Sequence, residues 1–132
     1  MSVYNSNMKK RKRIIPIYTS RGDVGALLVY PWIHNLQGEW IGWVTSTGEV
    51  YSVLGNYVGW LSKDPRILRR RSYDFSKPRL KPPPQPKKIR PPATLPLAPL
   101  MPMLTNATID VLLDEPEKLS TPDSDDLRED MD

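Results

Sequence analysis

IYTSRGDVGAL (residues 17–27), IHNLQGEWIGWV (33–44) and VYSVLGNYVGWL (50–61) are three copies of one phrase, and their spacing decides the fold. The phrase is an apolar lead, an aromatic-type residue, three spacers, a glycine, then an apolar–glycine–aromatic close. A fourth copy opens at Ile67 and carries Ser72 where the turn glycine belongs. The leads Ile17, Ile33, Val50 and Ile67 stand 16, 17 and 17 positions apart, and Gly22, Gly38 and Gly55 each follow their lead by five. A period this short holds about two strands of five residues plus two turns, which is one hairpin per unit. The expected fold is all-β: a small antiparallel repeat module of about four hairpins, shallow and barrel-like.

Two glycines serve each full unit differently. Gly22, Gly38 and Gly55 supply positive φ in turns, whereas Gly42 and Gly59 stand inside strands, just before Trp43 and Trp60. Glycine weakens a strand, so its recurrence marks a sharp bend or a close backbone approach at one repeated place. Aromatics repeated beside it form either a packed core or a ring that binds a ligand.

Outward from the repeat the composition changes. All four tryptophans and five of six tyrosines lie between Tyr18 and Tyr73, so the folded module is residues 14–76. A module of that size buries only about 60% of its unfolded surface. There is no cysteine, hence neither a disulfide framework nor a cysteine-ligated zinc. No apolar run approaches the ~20 residues that span a bilayer, and the start lacks a signal-peptide core, so the expected address is the cytoplasm.

Residues 1–13 read as a disordered basic arm ending in Lys9, Lys10, Arg11, Lys12 and Arg13. The run Ile14 to Tyr18, interrupted by Pro16, suits an edge strand, with Val24 to Tyr30 as its return. Thr45–Glu49 and Lys63–Pro65 are turn-bearing connectors. In the degenerate fourth unit, alternation sets Arg70 on the face opposite Arg69 and Arg71. Residues 77–104 carry most of the 15 prolines and read as a semi-rigid polyproline II linker. Within it Pro96, Pro99 and Pro102 share one face and Leu97, Leu100 and Met103 another, a pattern that suits docking in an aromatic groove, and Pro83, Pro86, Lys87 and Lys88 resemble a basic-flanked proline ligand. Residues 105–132 are an acidic, mostly disordered tail in which Ile109, Leu112 and Leu113 fall at helical spacing. A helix of that length is marginal alone, so the segment is expected to fold on a partner. Residues 1–107 carry 17 Lys/Arg against 5 Asp/Glu, and residues 108–132 carry 2 against 10. The arm and tail therefore attract one another as well as outside partners.

Catalytic chemistry is sparse. His34 is the sole histidine and occupies the place of Tyr18 and Tyr51 in its sister units, so it reads as a structural substitution. Asp23, Glu39, Glu49 and Asp64 all sit beside turn residues. No phosphate loop, dinucleotide fingerprint or metal-ligand cluster appears, and no enzymatic activity, cofactor or metal is expected.

Ile41–Gly42–Trp43, Val58–Gly59–Trp60 and the Tyr51-to-Gly55 spacing resemble the four-fold beta flower family over residues 15–75. The resemblance implies a square, four-petalled antiparallel arrangement and, through a likeness of shape to lipid-binding barrels, a hydrophobic ligand. Ala26 and Ser72 depart from the family pattern, which leaves the fourth petal to close either within this chain or through a second copy, as a homodimer. The functional expectation is a non-enzymatic binding or scaffolding module contacting a protein partner or hydrophobic ligand through Trp40, Trp43, Tyr57 and Trp60. The alternative is association with nucleic acid or an anionic membrane surface through Lys9 to Arg13 and Arg69, Arg70 and Arg71.

Overall fold

Each complete copy of the phrase folds into one antiparallel hairpin, and the register repeats with it. The structure, a computed structural model, describes residues 13–72 and 77–123. β1 (Ile15–Tyr18) pairs with β2 (Val24–Val29), β3 (Trp32–His34) with β4 (Trp40–Val44), and β5 (Glu49–Ser52) with β6 (Tyr57–Leu61). Ile17 faces Ala26, Ile33 faces Gly42 and Val50 faces Gly59, and in all three hairpins the register shifts immediately after the lead. A bulge bends its strand, so the same bend is repeated at the same place in each unit.

The turns repeat atom for atom. Thr19 N donates to Asp23 O (2.8 Å) and Gly22 N to Thr19 O (2.9 Å), and the same two bonds recur in Asn35–Glu39, Ser52–Asn56 and, between units, Thr45–Glu49. Side-chain oxygens of Thr19, Asn35, Thr45 and Ser52 accept further backbone N–H groups across these turns. The conformation needs a left-handed residue, and the glycines there have φ of 88–92°.

The strands form a single curled, half-barrel sheet in chain order, with β1, the proline-bearing strand, at one edge. All four leads, Ile17, Ile33, Val50 and Ile67, are fully buried in one core together with Ile41, Val44 and Val58. The in-strand glycines allow strands to approach. A β-carbon at Gly42 would lie 2.7 Å from Tyr51 O, and one at Gly59 only 2.1 Å from Leu68 O.

The fourth hairpin takes over the start of the short helix expected from Thr108, of which only one turn forms. β7 (Ile67–Arg70) pairs with β8 (Thr108–Asp110), with Leu68 facing Asp110 and Arg70 facing Thr108. A single helical turn, α1 (Val111–Asp114), and a 3₁₀ turn (Pro116–Lys118) follow. The helical spacing of Ile109, Leu112 and Leu113 misleads because Ile109 and Val111 alternate with Asp110 and fill the core, together with Leu119. The fourth return strand thus comes from the same chain, and the sheet extends past the expected 14–76 module. The ladder does not join β1 to β8. Instead Ser20 donates its N–H and hydroxyl to Asp110 Oδ2 (both 2.7 Å), Arg66 Nη1 donates to Ser20 Oγ (3.0 Å), and Tyr18 N to Pro65 O (2.9 Å). Among the described residues no helix is long and apolar enough to cross a membrane. The disordered arm expected at residues 1–12, the acidic terminus at 124–132, and Tyr73 and Phe75 lie outside the described residues.

Candidate functional site

The face opposite the leads is aromatic. Trp40, Trp43, Tyr51 and Val53 form a second cluster, with Trp32 and Tyr57 half-buried against it. Trp43 stacks on Tyr51 with ring centroids 5.1 Å apart, and Tyr57 meets Tyr51 edge-on at 5.7 Å. Trp43 Nε1 donates to Ser52 O (3.1 Å) and Trp40 Nε1 to Gly42 O (2.7 Å), so both buried indoles are satisfied internally. Of the four aromatics singled out in the sequence, Trp40, Trp43 and Tyr57 belong together and Trp60 does not. Trp43 stacks on the residue that follows the next lead, whereas the corresponding residue for Trp60 is Leu68, its ladder partner, which has no ring.

Across this face runs the segment that the sequence presents as a linker. It begins and ends at one place, because Arg70 and Thr108 are ladder partners and Arg71 N bonds Ala107 O (2.8 Å). Residues 71–107, 37 of them, are therefore the loop of the fourth hairpin, inserted where the other hairpins have a glycine turn. Two to five residues suffice for such a connection, and long structureless loops in small domains usually carry function.

The loop is a strap that visits the other units in reverse order. At the third unit Lys77 pairs with Glu49 and lies over the Tyr57 ring, 4.7 Å from its centroid, Arg79 Nη2 donates to Leu54 O (2.9 Å) and Leu80 N to Gly55 O (3.0 Å). The hydrogen bond to Glu49 raises the Lys77 pKa above its ordinary value. At the second unit Trp32 Nε1 donates to Pro84 O and Ile89 N to Gly38 O, both at 3.0 Å. At the first, the Tyr18 hydroxyl donates to Pro96 O (2.9 Å), and at the fourth, Arg66 Nη2 donates to Pro102 O (3.1 Å). The turn glycines are fitted to this passage. A β-carbon at Gly38 would stand 1.9 Å from Ile89 O and one at Gly55 2.0 Å from Leu80 O, while at Gly22 nothing lies within 4 Å.

Among the described residues, cavities line the strap. One of about 190 Å³ opens beside Trp40, bounded by Glu39, Pro86, Lys88 and Asp123. Another, about 320 Å³, lies between Ser20, Arg66 and Asp110 on the sheet and Met101–Leu104 on the strap. Arg66 is 2% exposed and pairs with Asp64 at 2.8 Å. Burial works to raise the Asp64 pKa, but hydrogen bonds from Arg66 and Ser62 outweigh it, and the net shift is downward.

The arginine cluster separates as alternation implies for two of its members. Arg69 is 3% exposed and makes a bidentate pair with Glu115 (2.6 and 2.9 Å), which lowers the Glu115 pKa, whereas Arg70 is exposed. Arg71 is exposed and its Nε donates to Asn106 O (2.8 Å). Arg69 is thus occupied by the fold and withdrawn from anion binding. Arg13 is exposed, and Lys9, Lys10, Arg11 and Lys12 lie outside the described residues. Of the strap's own cations, Lys87 and Lys88 are the basic flank noted in the sequence, Arg79, Lys81 and Arg90 were not singled out there, and all five are exposed. His34 is fully buried, and its Nδ1 lies 3.1 Å from Gly38 O. Burial lowers its pKa, and the hydrogen bond opposes this only in part. Among the described residues no group of three His, Cys, Asp or Glu is placed to hold a metal ion. Comparison with family models, curated proteins and solved structures finds no match to this chain.

Proposed function

We propose that the protein is a non-enzymatic interaction module, a four-hairpin frame of the beta flower type that holds a proline-rich strap on its aromatic face and offers the strap's outer side to a protein partner. The observation that carries this reading is the 37-residue loop of the fourth hairpin, bound to all four units yet unnecessary for joining β7 to β8. Trp32, Trp40 and Tyr57 act here as the seat of the strap, so an outside ligand reaches them only by displacing it. Proline-rich segments bind aromatic surfaces with little loss of entropy because their backbone is already stiff. Hydrogen exchange in the full chain tests the reading. The Leu80 and Ile89 amides are expected to be protected, and exchange at random-coil rates would refute an anchored strap.

A second reading, association with nucleic acid or an anionic membrane, is favoured by the exposed Arg79, Lys81, Lys87, Lys88 and Arg90, with Arg70 and Arg71 at the strap's start. It requires affinity for RNA, DNA or anionic vesicles that falls steeply with salt, by about one released ion per phosphate contacted. Flat salt dependence removes it.

A further inference from the structure

The strap has two chemically distinct halves. Apart from Arg71 at its start, residues 77–90 carry its cations and make the close backbone contacts with the third and second units. Residues 91–109 contain no charged residue. Within that second half Leu97, Leu100 and Met103 are 94%, 102% and 95% exposed, as open to water as side chains in an unfolded chain. A three-residue period in a polyproline helix puts them along one edge, about 9 Å apart at ~3.1 Å per residue. Their carrier is nonetheless fixed, because the Pro96 carbonyl, just before Leu97, and the Pro102 carbonyl, between Leu100 and Met103, accept hydrogen bonds from Tyr18 and from the buried Arg66. Three large apolar side chains held in full exposure on an anchored backbone are out of place on a surface without a partner.

We infer that the ridge Leu97, Leu100 and Met103, with Pro99 between its anchors, docks into an uncharged, aromatic-lined groove of another protein that carries an indole or phenol donor. The inference rests on the display reading above. The occupant's chemistry comes from the molecule itself: the first half of the strap is held by an aromatic surface with an indole donor, where Trp32 Nε1 donates to the Pro84 carbonyl beside Trp40 and Tyr57, and its charged Lys77 is met there by Glu49. That surface is taken by the first half, which leaves the second for a groove of the same kind elsewhere. The absence of charge from 91 to 109 means that the groove needs no acidic or basic rim. Anchoring at Pro96 and Pro102 removes much of the ordering loss on binding, so the held ridge should bind more tightly than the same residues as a free peptide.

The test titrates isotopically labelled full-length protein with three purified aromatic-groove probes, an SH3, a WW and an EVH1 domain, and separately with phosphatidylcholine vesicles and with itself at rising concentration. At least one probe is expected to shift the Leu97–Met103 amides, with affinity reduced roughly tenfold or more in the triple variant L97S/L100S/M103S. Those side chains are exposed, so the variant is expected to keep the parent's far-ultraviolet spectrum. Tyr18→Phe, which removes the Pro96 anchor, should weaken binding several-fold, towards that of peptide 93–105. If Tyr18→Phe and the free peptide match the parent while the triple variant loses binding, docking stands and the display reading falls. If no probe binds, or if the ridge is needed instead for vesicle binding or self-association, the inference is overturned.

Discussion

Gly38→Ala and Gly22→Ala form a matched pair that isolates the strap. Both glycines sit at the same place in equivalent turns, with φ of 88° and 92°. Alanine in this left-handed region costs about 1–2 kcal/mol at either position. At Gly22 that is the whole expected effect, because nothing lies within 4 Å of the new methyl. At Gly38 the methyl would stand 1.9 Å from the Ile89 carbonyl oxygen, a backbone atom that yields only if the strap moves away. The Ile89 N–H bond to Gly38 O is then lost, at about 1 kcal/mol, along with nearby strap contacts over Trp40. Gly38→Ala should therefore destabilise by about 1–2 kcal/mol more than Gly22→Ala. Urea unfolding followed by tryptophan emission measures the difference, and a released strap should also lower the denaturant slope, which scales with buried surface. Equal losses at the two positions with unchanged slopes would refute the claim that the strap rests on the turn.

Gly59→Ala should cost about 3 kcal/mol or more, because its methyl would meet the Leu68 backbone oxygen at 2.1 Å between two ladder strands, and thermal unfolding would register this. The folded-state pKa of His34 lies below its unfolded value of about 6.5, so the unfolded chain binds more protons in that interval. Stability should then be highest above pH 6.5 and fall as the pH drops towards the folded value, and His34→Gln should flatten that part of a urea-midpoint profile. Glu115 is lowered by its hydrogen bonds from Arg69, so the stability it contributes is present above about pH 4.5 and lost below it. Glu115→Gln should remove that acid-side dependence and cost about 2 kcal/mol at neutral pH.

The hairpins were legible in the sequence because period and chemistry coincide: each lead is an apolar residue of the core face, and each turn glycine answers one backbone need. The in-strand glycines also announced a close approach, which the Tyr51 and Leu68 carbonyls supply. The fourth unit was harder to read, since the missing glycine at Ser72 signals that a turn is absent without saying what replaces it. The return strand lies beyond a 37-residue loop, and the alternation of Ile109, Asp110 and Val111 that marks it is too short to outweigh the helical spacing of Ile109, Leu112 and Leu113. Trp60 looked equivalent to Trp43 because the repeat is local, whereas membership of the aromatic cluster depends on the next unit's ring. Proline-rich composition spoke of stiffness and left open where the stiff segment lies, which is settled by hydrogen bonds from Trp32, Tyr18 and Arg66 that no spacing records.

The most direct test of the central claim is tryptophan emission and far-ultraviolet dichroism of a chain in which residues 71–107 are replaced by a two-residue Asn-Gly turn. A frame that folds without its strap should keep its β spectrum and unfold cooperatively, with emission shifted to the red as Trp32 and Trp40 meet water, and a peptide of residues 77–106 should reverse the shift. Loss of the β spectrum, or emission unchanged from the parent, would contradict the separation of frame and strap.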